Sequence, residues 1–562
     1  MPKPPRWILK PSAPSFLKTI EQLPDVQRGA LLRLRLEADP ELFARFALPD
    51  HCRLPFAPVH RLLFDWHGAM GAEPLSVRSG LRFALAAPRG SAKSTVASLI
   101  LLLHDLVFQR ERYIVLLSAT ERQARQRLRA VRAELEKGAA RRLLPPTASL
   151  DASARSLVVG HTTLEAAGAG CELRGLNIDG WRPTKIILDD AESSRCADSP
   201  TARLRLLDWF AEVVEYLGDR YTHLLAVGTI LHEKSLLGTL LRRADFTAHR
   251  ARSIITHAGG AGGLWQEWRR RLLDLSDPDR RAAARTWFLQ HRHTMQTGAS
   301  VLWPEKEDYE ELMCQLTLQG RRAFAQEKQN EPLGPEEALF SPEAILRGRW
   351  RDATLEIVRR DAGCEAVLRT IATATAGARR VAWLDAALGK GRARQEGDFA
   401  ALAVVLAFPD GTLFVERLDA QRIPPSVQVR RLFDCHEATP FHDLAIEGTG
   451  FQELLLLPIE EERRVRQRDG RRSDLPVRAI HPTRSKSARI AGLEPLLSSG
   501  RLVLGEGLDE ELWEELRAWP RSAHDDALDA LAGAVEIASN LGSSSKKSFD
   551  AIRLPNRSLG AF

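Results

Sequence analysis

An apolar run, LRFALAA, leads directly into Ala87-Pro88-Arg89-Gly90-Ser91-Ala92-Lys93-Ser94-Thr95, and that loop opens the helical stretch STVASLILLLHDL. A strand, a short turn and a helix beginning in Lys-Ser-Thr form the setting in which backbone N–H groups wrap phosphates at a helix N-terminus. In this reading Arg89, Gly90, Ser91, Ala92, Lys93, Ser94 and Thr95 form a nucleotide-binding loop. Lys93 reaches the β and γ phosphates of ATP, and Ser94 holds Mg²⁺. The loop departs from GxxxxGK[ST] because Ala87 and Ala92 stand at both glycine positions.

A loop of this kind needs a parallel sheet behind it. From about residue 81 to 231, LRFALAA, YIVLLSAT, KIILDDAE and HLLAVGTIL are separated by long helical stretches, which is the alternation of a parallel α/β sheet. Ile186-Ile187-Leu188-Asp189-Asp190 ends a strand in two acids. Phosphate-loop enzymes use one carboxylate there for Mg²⁺ and the next to orient the attacking water. Asp189 takes the metal role and Asp190 the base role, with Glu192 as the alternative base. A third strand ends at Thr229, whose hydroxyl is placed to sense the γ phosphate.

At 562 residues the chain is too long for one ordinary core and predicts two or three compact units. Residues 1–50 read as a helical lead-in, with Phe16, Leu17, Ile20, Leu23, Leu31, Leu32 and Leu34 at helical spacing. Residues 51–335 read as the phosphate-loop domain with a helical linker, and 336–540 as a second domain behind a divider near 336–370. In that domain ARRVAWLDAA, ALAVVLAF and GTLFVERLDA are three strands in succession, the last two joined by a Pro409-Asp410-Gly411 turn. The Ser-rich residues 541–562 read as a flexible tail.

Acids recur at three separated places in the second domain: Asp385 at a strand end, Glu447 in LAIEGTG, and Asp525, Asp526 and Asp529 opening a helix. Hydrolysis of a phosphodiester with two metal ions requires such a cluster around the scissile phosphate. Asp526 and Asp529 lie three apart, hence on one helix face, and Asp398 is a candidate supporting ligand. The expected metal ligands are Asp385, Glu447, Asp526 and Asp529, with catalysis assigned to Asp385, Glu447 and Asp526, and Mg²⁺ or Mn²⁺ as the ion. Which of Asp525, Asp526 and Asp529 is the principal third ligand stays open.

Charge points to a polyanionic partner. The chain carries a net charge of +7, yet residues 463–489 alone hold nine arginines and Lys486 against Asp469 and Asp474. Placed in sequence between Glu447 and the Asp525 cluster, this segment is expected to hold DNA phosphates beside the metals. Six cysteines without CxxC spacing argue against zinc and a secreted disulfide framework, and fit a reducing cytoplasm. The first residues, MPKPPRWILKPSAPSF, show no apolar h-region or small-residue cleavage site, and no apolar run reaches the roughly 20 residues of a bilayer span, so neither export nor membrane insertion is expected.

The set PFAPVHRLLFDWH, APRGSAKST, LLSATERQA, ELRGLNIDGWRPTKIILDDAE, LLAVGTILH, FAQEKQNEPLGPEEALF, WLDAALGKG, AIEGTG, TRSKSARI and HDDALDAL, in this order between about residues 40 and 535, resembles the large terminase subunit of tailed bacteriophages or prophages. The resemblance implies an α/β chain with an N-terminal P-loop (RecA/ASCE-like) ATPase domain and a C-terminal ribonuclease H-like nuclease domain. It also implies packaging of double-stranded DNA into a procapsid, cutting of concatemers, and work in the cytoplasm of a bacterial host. Its expected partners are the portal protein, a small terminase subunit and further copies in a homo-oligomeric ring, with no membrane. By matching position Lys93, Ser94, Asp189 and Asp190 are the ATPase residues, Thr229 the coupling residue, and Asp385, Glu447 and Asp526 the metal ligands. Arg89 is a candidate sensor or finger. Two other readings share parts of the set: a helicase or repair translocase with an attached nuclease, and an inactive prophage relict that only binds DNA.

Overall fold

A computed structural model describes residues 25–70, 77–144, 148–173, 175–274, 277–332, 339–340, 345–361, 364–372, 377–386, 400–447, 455–482, 484–508, 510–522 and 525–541. These divide into two compact units. One comprises the described residues within Met1–Gly259, Gly298–Leu312 and Ala323–Gly334; the other, those within Gly260–Thr297, Met313–Arg322 and Pro335–Phe562.

The first unit contains β1 (Arg82–Ala86), β2 (Tyr113–Ser118), β3 (Leu150–Ala152), β4 (Ser156–Val159), β5 (Thr162–Gly168), β6 (Lys185–Asp189), β7 (His223–Gly228) and β8 (Thr247–Arg250). They form one sheet in the order β3-β4-β5-β2-β6-β7-β1-β8. Every pairing from β5 to β8 is parallel, and β3-β4-β5 is an antiparallel edge. β2, β6 and β7 are buried along their whole length, as strands covered on both faces must be, so their sequences are near-continuous apolar runs. β7 lies between β1 and β6. It therefore separates the strand of the phosphate loop from the strand that ends in acids. A further antiparallel pair, β9 (Ile254–Thr256) and β10 (Ser300–Val301), stands apart from this sheet.

Lead-in helices Asp25–Ala38 and Pro40–Ala47 bury Leu36, Phe43, Ala44 and Ala47 in this first core. Phe43 meets His104 and Phe108 edge-on. Leu34 faces solvent, one residue out of the register that the spacing implies. Phe16, Leu17, Ile20 and Leu23 lie outside the described residues, as do Asp398 and residues 542–562.

The second unit is built on β11 (Arg347–Arg351), β12 (Thr354–Asp361), β13 (Cys364–Ala372), β14 (Arg379–Asp385), β15 (Ala400–Ala407), β16 (Leu413–Gln421), β17 (Asp443–Glu447), β18 (Val477–Ile480) and β19 (Leu502–Gly505). Its sheet runs β13-β12-β11-β19-β16-β15-β14-β17-β18. β14, β15 and β16 are an antiparallel meander, while β17 and β18 continue from β14 in parallel. Numbered from β14, that is order 3-2-1-4-5, the ribonuclease H-like arrangement. The expected turn closes β15 onto β16, with Gly411 at φ +86° and its N–H donating to Phe408 O at 3.0 Å. Much of the stretch read as a divider supplies β11–β13, which extend the same sheet through β19.

Helix Asp526–Leu541 packs across β14, β15 and β16. Gly533 makes this possible, because a Cβ there would lie 2.3 Å from the Trp383 indole. On the other face Val429, Leu432, Phe433 and Ile459 cover Leu444 and Ile446. No helix among the described residues is long and apolar enough to cross a membrane.

Candidate functional site

The first unit gathers the phosphate-loop residues at the C-terminal ends of β1, β6 and β7. Gly90 and Ala92 both adopt positive φ, +86° and +58°. The loop thus requires a left-handed residue at the second glycine position, whereas Ala87 continues the strand pairing, donating to Gly228 O at 2.9 Å. Of the two alanines only Ala92 is strained. Relief of about 1–2 kcal/mol of left-handed strain, set against about 0.4–1 kcal/mol of added unfolded-state entropy, predicts that Ala92→Gly stabilises the protein by roughly 0.5–1 kcal/mol. A higher urea midpoint at unchanged m checks it.

His60 secures the loop from below. Its Nδ1 accepts from Ala57 N at 3.0 Å, which leaves the proton on Nε2 to donate to Ser91 O at 2.6 Å. Arg89 pairs with Glu327 at 2.8 Å, and Lys328 Nζ donates to Arg89 O at 3.1 Å and to Glu307. The FAQEKQNEP helix therefore braces the phosphate loop from the side.

Lys93 is buried, and its Nζ donates to Thr229 Oγ1 at 2.9 Å and stands 3.9 Å from Asp190. Burial lowers its pKa, opposed by Asp190 and Asp189. Asp189 is fully buried and accepts from Ser94 Oγ at 2.7 Å, Ser98 Oγ at 2.6 Å and Arg127 Nε. Ser94 and Asp189 thus face one point, as shared ligands of a cation must. Asp190 holds φ +48°. Burial raises its carboxyl above the usual range, against the pull of Lys93. Glu192, two residues on, is pushed up to about 7 by burial. Its Oε2 accepts from Leu236 N at 3.2 Å, and its Oε1 is buried without a partner among the described residues. Gly90 and Ser91 lie in the turn itself, and Thr95 in the helix that follows it.

Arg127 and Ser98 are what sequence reasoning missed. Arg127 sits on helix Glu121–Lys137 after β2 and spans both acids, with Asp190 at 3.9 Å. Ser98 is one turn beyond Ser94 on a helix that faces β6.

In the second unit β14 and β17 are parallel neighbours with Leu384 opposite Ile446, so Asp385 and Glu447 end side by side. Asp529, in the first turn of helix Asp526–Leu541, completes a group in which one carboxylate oxygen from each residue lies within 4.8 Å of those of the other two. Asp529 Oδ2 accepts from Arg489 at 2.8 Å, while its Oδ1 is buried without a partner among the described residues. An oxygen-only donor set with an orphaned carboxylate oxygen fits a hard divalent cation such as Mg²⁺ or Mn²⁺. Asp526 is outside that group. Lys486 Nζ holds it at 3.0 Å, and Asp525 at 2.7 Å.

Burial, then Glu447, Asp529 and Asp526, push Asp385 up to about 7. Burial likewise lifts Asp529 to about 6 against Arg489 and Lys486. Protons therefore compete with a cation for these oxygens, and Mn²⁺ affinity is expected to rise with pH through the window from about 6 to about 7. Below it, each proton displaced costs roughly tenfold per pH unit. Without metal the sign reverses for stability. Folded pKa values above the unfolded ones mean that the folded state binds more protons, so stability falls as pH rises from about 4, the unfolded carboxyl value, to the folded values of about 6 and about 7. Mn²⁺ titrations and unfolding midpoints at pH 5.5 and 8 check both.

The arginine-rich segment does not present the basic surface that its composition implies. Arg466 is fully buried against Asp434, Glu437 and Glu462. Arg463, Arg471, Arg472, Arg478, Lys486 and Arg489 are also in ion pairs. Only Arg464, Arg468 and Arg484 are exposed with no acidic partner among the described residues. Charge counting along the segment misses acids contributed from elsewhere in the fold, above all Asp434 and Glu437 on helix Pro425–Ala438.

No family model matches the sequence, and no curated protein matches it. Among solved structures, the chain is similar to the large terminase of a thermophilic bacteriophage, with 9% identity and a TM-score of 0.40 over 86% of this chain and 99% of that one. It is similar to a mutant large terminase ATPase domain of a Thermus phage, with 14% identity and a TM-score of 0.29 over 52% of this chain and 100% of that one. The human cytomegalovirus terminase nuclease domain is similar at 14% identity and a TM-score of 0.22, covering 30% of this chain and 84% of that one. All three solved structures are thus terminases or terminase domains.

Proposed function

We propose that this chain is a large terminase subunit, which uses ATP to drive double-stranded DNA into a procapsid and cuts concatemeric DNA with a metal-dependent nuclease. The observation that carries the reading is the presence of two separate carboxylate sites in one chain. One is Asp189 beside a phosphate-loop Lys93 and Ser94; the other is Asp385, Glu447 and Asp529 on a sheet of ribonuclease H-like order. The second sheet begins with an antiparallel meander rather than with the parallel core of a second motor domain, which favours a packaging motor over a helicase.

In the ATPase unit Lys93 binds the β and γ phosphates, and Ser94 and Asp189 hold Mg²⁺. Asp190, or Glu192 behind it, takes a proton from the attacking water. Thr229, hydrogen-bonded to Lys93, exchanges that contact when phosphate charge arrives, which supports its coupling role. In the nuclease unit Asp385, Glu447 and Asp529 hold the divalent cations, while Asp526 is held by Lys486. When bound, such ions activate water and neutralise charge at the scissile phosphate. The partners that follow are double-stranded DNA, a portal protein, a small terminase subunit and further copies of the chain in a ring, within the cytoplasm of a bacterial host. DNA-stimulated release of phosphate from ATP, together with Mn²⁺-dependent nicking of plasmid DNA by one preparation, tests the reading; a protein that does neither refutes it.

A further inference from the structure

The three carboxylates are not the only polar groups at the second site. Arg489 lies on helix Lys486–Ala491, which Ser485 caps by accepting from Ala488 N. Its side chain is 5% exposed, and Nη2 reaches Asp529 at 2.8 Å and Glu447 at 3.5 Å. Its Nε and Nη1 are buried with no partner among the described residues. A guanidinium so placed is costly to desolvate unless something pairs its remaining donors, and its planar fork matches phosphate oxygens.

Resting on the nuclease reading above, we propose that Arg489 is a catalytic residue of DNA cutting: anchored to Asp529 and Glu447 through Nη2, it donates Nη1 toward the non-bridging oxygens of the scissile phosphate. Negative charge gathers on those oxygens as phosphorus is attacked. A donor fixed by two ligand carboxylates meets that charge without reorganising. Lys486 differs from it, being committed to Asp525 and Asp526 on the flank of the site.

The alternative is that Arg489 only braces the ligands. Wild type, Arg489→Lys and Arg489→Ala are compared as full chains, with plasmid cutting at saturating Mn²⁺, Mn²⁺ affinity from electron paramagnetic resonance titration, and thermal unfolding. Phosphate contact predicts that Arg489→Lys cuts about 100-fold more slowly, while its Mn²⁺ affinity stays within about threefold of wild type and its unfolding temperature is unchanged. Excess Mn²⁺ does not restore the rate. Should Arg489→Lys cut at the wild-type rate, or should higher Mn²⁺ restore it fully, the proposal is overturned and Arg489 is a brace. Arg489→Ala is read only if its unfolding temperature matches wild type, and the lysine variant decides otherwise. If wild type itself does not cut, the nuclease reading has failed instead.

Discussion

Asp385→Asn is expected to abolish DNA cutting, by about 1,000-fold or more, while ATP turnover stays at the wild-type level. Asp385 ends β14 beside Glu447 and within 4.8 Å of Asp529, so removing its charge takes away one of three ligands and one of the two that the sheet contributes. Two carboxylates on separate elements hold a hard cation far more weakly, and the charge stabilisation that metal supplies to the transition state is lost with it. Unfolding will not account for the loss. Burial and repulsion from Glu447 and Asp529 already push this carboxyl up to about 7, so a neutral side chain of the same shape leaves the metal-free unit as stable or more so. Plasmid cutting in Mn²⁺, with a parallel unfolding curve, checks both halves.

Lys93→Ala is the complementary case, expected to lower ATP turnover by at least about 100-fold with DNA cutting retained. Lys93 is the cation of the phosphate loop, and its Nζ touches Thr229 at 2.9 Å and faces Asp190. Its removal takes away the charge that meets the γ phosphate as bonds rearrange, a loss of the size seen for single electrostatic donors. It also leaves the Thr229 hydroxyl without its donor, a cost of about 1–3 kcal/mol if that oxygen stays dry. Phosphate release measured with and without DNA, beside Mn²⁺-dependent cutting, reads the result. Retained turnover would remove Lys93 from the site.

The parts of this fold that were legible are those where burial leaves a one-dimensional trace. β1, β2, β6 and β7 are covered on both faces and read as apolar runs; β8, with the sequence TAHR and mostly exposed, has no such trace. β5 alternates Thr, Glu and Ala at an antiparallel margin and is equally silent. At the sites, residues fixed by strand ends were legible: Asp189, Asp385 and Glu447 each follow an apolar run. Asp526 and Asp529 share a helix face, and spacing cannot say which one turns toward the strands; the tertiary structure puts Asp529 in the group and gives Asp526 to Lys486. Arg127 is one of five arginines on its helix, and nothing local distinguishes the one that reaches Asp189. The basic segment shows the converse error, since its charges were visible and the acids that neutralise them were not.

Directional movement along intact duplex DNA is the claim on which the whole account turns. The direct measurement uses a duplex carrying a triplex-forming third strand at one end and a fork at the other, incubated with the protein, ATP and Mg²⁺. Translocation predicts ATP-dependent displacement of the third strand, absent in Lys93→Ala, with the forked strands still paired. Separation of the fork would contradict it and identify a helicase, and ATP turnover with the third strand left in place would contradict it as well.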